Sequence, residues 1–181
     1  MRVLSKWFGK GSKSPASDRI GVDFAATGAP YAPGTRIAYD AELITRFEGH
    51  HKSLLKLFDN LSRLADERAY DRLGPALKKF LNVLQQHVLE ENLKLYVYLE
   101  KCIDDGDHAQ MMHEMKLEMG QIGRRVRAFV RHHIEFAVNA DNIVKFRQEL
   151  KEIGAVLVDR IQREEDGLYK LYMPPRHYEQ A

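Results

Sequence analysis

The sequence predicts an all-α protein: an antiparallel up-down-up-down four-helix bundle behind a flexible N-terminal leader. Beyond about residue 39, four long apolar stripes recur at helical spacing. Short connections join them, which makes consecutive helices antiparallel neighbours. The apolar–polar alternation of strands is absent, and Pro75 is the one proline between residue 39 and Pro174.

The first helix is expected from about Asp40 to Asp66, on Leu43, Ile44, Phe47, Leu54, Phe58, Leu61 and Leu64. His50 and His51 fill the gap at the centre of that stripe. The second runs from about Tyr70 to Ile103, on Leu77, Phe80, Leu84, His87, Glu91, Leu95 and Tyr98. Gly74-Pro75 falls in its first turns, where proline is tolerated. Asp104-Asp105-Gly106-Asp107 ends it. The third runs from about His108 to Val138, on Met112, Met115, Met119, Ile122, Val126, Phe129, His133 and Phe136. Asn139-Ala140-Asp141 forms a loop with a capping residue. The fourth runs from about Asn142 to Tyr172, on Phe146, Leu150, Ile153, Leu157, Arg160, Glu164, Leu168 and Leu171. Helices of about 30 residues are about 45 Å long, which suits a bundle.

The bundle thus occupies residues 39–173, between a leader (1–38) and a short tail (174–181). The leader holds Gly9, Gly11, Gly21, Gly28 and Gly34 with Pro15, Pro30 and Pro33, and keeps no helical or strand period. Its start, with Val3, Leu4, Trp7 and Phe8 among Arg2, Lys6 and Lys10, reads as a frayed basic tail and lacks the continuous apolar run of a secretory signal. No stretch reaches the roughly 20 apolar residues of a membrane span.

Composition excludes several functions. The 181 residues carry a net charge of +2, too small an excess for a strong phosphate binder, so nucleic acid is not the expected partner. Arg124, Arg125, Arg127 and Arg131 form one basic cluster, but Val126, Phe129 and Val130 keep the helical period through it, which makes it a solvated face. A single cysteine, Cys102, excludes an intramolecular disulfide framework and fits a reducing cytoplasm. Met111, Met112, Met115 and Met119 follow core spacing. No glycine-rich phosphate loop and no Ser-His-Asp constellation can be assembled, and an enzyme with turnover is not expected.

The informative residues are polar ones on apolar stripes. His87 and Glu91 are four apart, on the buried face of one helix. Arg160 and Glu164 repeat the arrangement, and the repeat extends: His87-x3-Glu91-x4-Tyr96 parallels Arg160-x3-Glu164-x4-Tyr169. Glutamate is almost never buried without a partner, so Glu91 needs a metal, a cation or a protonated histidine. Histidine and carboxylate pointing inward from facing helices are how bundles hold metals such as iron. The spacing leaves metal and salt bridge both open.

The segment His87-Val-Leu-Glu-Glu-Asn-Leu-Lys-Leu-Tyr96 resembles the second-helix motif of hemerythrin-like HHE domains. Gly49-His50-His51-Lys52-Ser53-Leu54-Leu55 resembles their first-helix motif, and Arg160-Ile-Gln-Arg-Glu-Glu-Asp-Gly-Leu-Tyr169 their fourth, with arginine in place of histidine. The resemblance spans roughly residues 39–173. It implies a bundle holding a non-heme di-iron centre, used for oxygen binding, sensing or iron handling. The implied ligand positions are His51 (with His50 as alternate), His87, Glu91 and Glu164. Arg160 cannot ligate, because guanidinium has no free lone pair. The third helix should offer a histidine; His113 is nearest, one position off the stripe, and His108 lies on the stripe at the helix start. The expectation is a binding or sensory domain with an incomplete iron-ligand set.

A second stretch, Asp141-Asn142-x3-Phe146-x3-Leu150-x2-Ile153-Gly154-x2-Leu157-x2-Arg160-x3-Glu164, is similar to the C-terminal half of the Rsd/AlgQ regulators. That resemblance implies a metal-free bundle binding a protein partner, a sigma factor of RNA polymerase, with Arg160 an expected residue. The period places Arg160 on the buried stripe with Glu164, and a buried guanidinium needs a partner, so it should sit against a carboxylate.

Overall fold

The structure, a computed structural model, describes residues 31–104 and 106–178. The helices are α1 (Leu43–Asp66), α2 (Tyr70–Glu90), α3 (Val97–Cys102), α4 (Gly106–Glu135) and α5 (Ile143–Asp166). A π-helical segment, Glu91–Tyr96, joins α2 to α3 without a break, so the three pieces are one bundle helix. α1 packs on α2 and α5, and α4 packs on the same two, which closes the expected up-down-up-down ring. Two 3-10 turns follow, Leu168–Leu171 and Pro175–His177. Among the described residues, no helix is long and apolar enough to cross a membrane.

The stripes are buried as their period requires. Phe47, Leu54, Phe58 and Leu61 line α1, and Phe146, Leu150, Ile153 and Leu157 line α5. Gly154 lets α1 and α5 approach: a Cβ at this position would lie 2.6 Å from Cε1 of Phe58. Met112, Met115 and Met119 are core residues on α4, as their spacing indicated. Phe136 departs from expectation. α4 ends at Glu135, so Phe136 leaves the helical phase and is 57% exposed. In the basic cluster, Arg124, Arg125, Arg127 and Arg131 are exposed, and Arg125 pairs with Glu152 at 2.8 Å.

Residues 1–30 lie outside the described residues, and with them most of the predicted flexible leader. Residues 31–38 make a small hairpin in which Tyr31 bridges Ala38 and the Ala32 amide donates to the Ile37 carbonyl at 2.8 Å. Gly34 turns it with a φ of 68°, left-handed backbone that favours glycine. Ala32 is buried and Ile37 packs on the core.

The interior is divided. One apolar cluster runs from Leu54 on α1 through Leu84, Met119 and Leu157. The other gathers Leu43, Phe47, Leu95, Met115, Leu168 and Tyr169. Between them, at the same level of the bundle, lie His51, His87, Glu91, Arg160 and Glu164, all buried.

Candidate metal centre

Each helix brings side chains to this level by its own period. His51 is one turn past Phe47 on α1, and His87 and Glu91 continue the stripe of Leu77, Phe80 and Leu84 on α2. Arg160 and Glu164 continue that of Ile153 and Leu157 on α5. α4 passes the level between Met115 and Met119 and adds no imidazole.

His51, His87, Glu91 and Glu164 converge. One donor atom from each lies within 4.8 Å of the others. Bonds of about 2.0–2.2 Å to one ion put neighbouring donors roughly 3 Å apart. His51 Nε2 lies 3.1 Å from His87 Nε2 and 3.2 Å from Glu164 Oε2, and His87 Nε2 lies 3.9 Å from Glu91 Oε2. Glu165, the next residue on α5, accepts from His51 Nδ1 at 2.8 Å. A carboxylate on the outer nitrogen aims the other nitrogen inward, as at histidine metal ligands. The Nδ1 of His87 is buried with no hydrogen-bond partner among the described residues. Two imidazoles and two carboxylates thus lie close enough together that they could hold a metal ion.

Two tyrosines complete the level. The hydroxyl of Tyr169 donates to Glu91 Oε1 at 2.9 Å and lies 3.1 Å from His51 Nε2, and its ring stacks on His51. Tyr96 accepts from Arg160 Nη2 at 2.7 Å. Both follow their glutamate by five residues, a spacing that does not share a face in an α-helix. The π-helical segment brings Tyr96 round in the second bundle helix, and the break at Gly167 does so for Tyr169 in the fourth. Single π turns recur at functional sites.

Arg160 is 1% exposed. Its Nε donates to Glu164 Oε1 at 2.5 Å, and its Nη1 to the Met115 carbonyl at 2.9 Å and Glu118 Oε2 at 3.4 Å. Glu118 also accepts from Arg163 at 2.7 Å.

The charges are strongly perturbed. Burial disfavours the charged form of His51, but hydrogen bonds to Glu164 and Glu165 outweigh it and hold its pKa up at about 9. Burial, then the positive charge of His51, pushes His87 down to about 3, so it is neutral. Burial and the neighbouring Glu164 carboxylate push Glu91 up to about 8. Burial opposes ionisation of Glu164, but His51 and Arg160 outweigh it and lower its pKa.

Four of the six candidate residues, His51, His87, Glu91 and Glu164, come together in the structure, and two lie outside the cluster. His50 is half-buried beside His87, with ring centroids 5.8 Å apart, and lies outside the four-residue cluster because α1 turns it a residue's rotation from His51. His113 is exposed, on a surface groove with Lys116 and Leu117, because it follows the buried Met112 by one position. Glu165 and both tyrosines were missed as site residues. The five-residue spacing in the repeat was the signal for the tyrosines.

The sequence profile of the Hemerythrin HHE cation binding domain matches residues 42–172. No curated protein and no solved structure gives a significant match.

Proposed function

The chain belongs to the hemerythrin HHE cation-binding family, and from that premise we propose that it is a binding or sensory domain that holds iron through His51, His87, Glu91 and Glu164. The convergence of those four donors carries the reading, with His51 aimed inward by Glu165. Two nitrogen and two oxygen donors suit a first-row transition metal such as iron. Bound iron would supply an oxygen- or redox-responsive centre. Tyr169 would orient Glu91, and Glu165 would hold the His51 tautomer. The proposed role is sensing rather than turnover, and the buried free thiol of Cys102 supports a reducing cytoplasm.

Metal analysis after anaerobic loading with ferrous iron tests this. His51→Ala and His87→Ala should each lose most of the bound iron, while His50→Ala and His113→Ala keep it. Loss in His113→Ala equal to that in His87→Ala would overturn the ligand set.

One observation favours a second reading. Arg160 and a protonated His51 neutralise the buried Glu164 without a metal, and Tyr169 donates to Glu91. A metal-free regulatory bundle that binds a protein partner is consistent with that, and absence of iron even after loading would support it.

A further inference from the structure

We propose that the Arg160 guanidinium is a built-in second cation of this centre, so that the site takes up a single metal ion. The inference rests on the cation-binding reading above and specifies its stoichiometry.

The internal repeat sets two residues at equivalent places. His87, Glu91 and Tyr96 on one helix correspond to Arg160, Glu164 and Tyr169 on the other. In the first copy the leading residue is an imidazole facing the four-donor cluster. In the second it is a permanent cation, since guanidinium keeps its proton at any accessible pH. Glu164 links the two places. Its Oε2 faces His51 Nε2 at 3.2 Å, and its Oε1 accepts from Arg160 Nε at 2.5 Å. One carboxylate therefore joins the four-donor cluster to a guanidinium, and would lie beside both if an ion were held there.

Around Arg160 the acceptors form a closed shell. Glu164 comes from α5, the Tyr96 hydroxyl from the π-helical segment, and the Met115 carbonyl and Glu118 from α4. These oxygens are committed to N–H donors, and the guanidinium fills the space among them. A second ion would have to displace a tethered cation that is fully buried, and α4, which passes this level between Met115 and Met119, offers no imidazole there.

The test is titration of metal-free protein with Co(II), followed by its visible absorption and by metal analysis after desalting. The parent should saturate at one ion per chain. Arg160→Lys, which keeps the charge, should also stop at one. Arg160→His, which replaces the cation by a ligand, should take up more than one. Saturation of the parent at two ions overturns this inference and leaves the cation-binding reading standing. No uptake by the parent overturns both. Uptake by Arg160→His that stays at one, in a variant shown to be folded by circular dichroism, overturns the claim that the guanidinium excludes the second ion.

Discussion

The hydroxyl of Tyr169 donates to Glu91 Oε1 at 2.9 Å, joining two residues 78 positions apart. It is the direct hydrogen bond between the turn that follows α5 and the carboxyl group at the centre of the bundle. Removing it leaves a buried acceptor short of a donor, which costs about 1–3 kcal/mol. Tyr169→Phe should lower the urea unfolding free energy of the metal-free protein by that amount. An unchanged midpoint would mean that Glu91 finds another donor.

Arg160→Ala removes a buried charge whose partners remain. Glu164 Oε1 and the Tyr96 hydroxyl lose donors, and Glu164 stays buried near His51 alone. Breaking a buried pair from one side costs about 3–5 kcal/mol. Equilibrium unfolding should show a loss in that range; a variant as stable as the parent would contradict the observed burial.

Stability of the metal-free protein should depend on pH in three regimes. His51 has its folded pKa raised from 6.5 to about 9, so the folded state gains a proton before the unfolded state does. Glu91, raised from 4.5 to about 8, acts with the same sign. Stability should therefore rise as pH falls from 9 to 6.5, at up to roughly 1.4 kcal/mol per pH unit for each group. Below 6.5, His87, whose folded pKa lies near 3, opposes Glu91, because only the unfolded chain protonates it. The profile should flatten between 6.5 and 4.5. Below 4.5 the depressed pKa of Glu164 adds to His87, and stability should fall. Urea midpoints across pH 4–9 check the shape, and His51→Gln should weaken the alkaline limb.

Gly154→Ala tests the contact between α1 and α5. The new methyl would fall against the Phe58 ring. Overpacking of this kind costs about 1–3 kcal/mol. Phe58→Leu made in the same chain should recover part of the loss, and a double-mutant cycle would show it as coupling. Additive effects would mean that the helices separate to admit the methyl.

The bundle was legible because each helix keeps one uninterrupted stripe. The same property exposed His87, Glu91, Arg160 and Glu164, since polar residues in phase with Leu84 and Leu157 must be buried. A helical stripe loses its phase where the backbone leaves the α-helix. Tyr96 lies in a π-helical segment, and Tyr169 lies beyond the break at Gly167. Phe136 erred in the opposite direction, since the period was carried past the end of α4. Glu165 was not legible because it is partly exposed and touches the site only through the outer nitrogen of His51. The hairpin that holds Ala32 and Ile37 is too short to carry a period that the sequence could show.

The two partners of the Tyr169–Glu91 bond belong to segments that open on different scales. Glu91 sits mid-helix, where release requires cooperative loss of the bundle. Tyr169 sits on a short 3-10 turn, which can open locally. That turn is latched from outside: the Asp40 amide donates to the Tyr172 hydroxyl at 2.9 Å, and the Tyr98 hydroxyl to the Met173 carbonyl at 2.7 Å. Each opening would lift the Tyr169 ring from His51 and wet the buried cluster from the C-terminal side. Opening of this latch is then one route by which solvent ions and protons would reach the centre. Amide hydrogen exchange should show it directly, with residues 168–172 exchanging well ahead of residues 84–92.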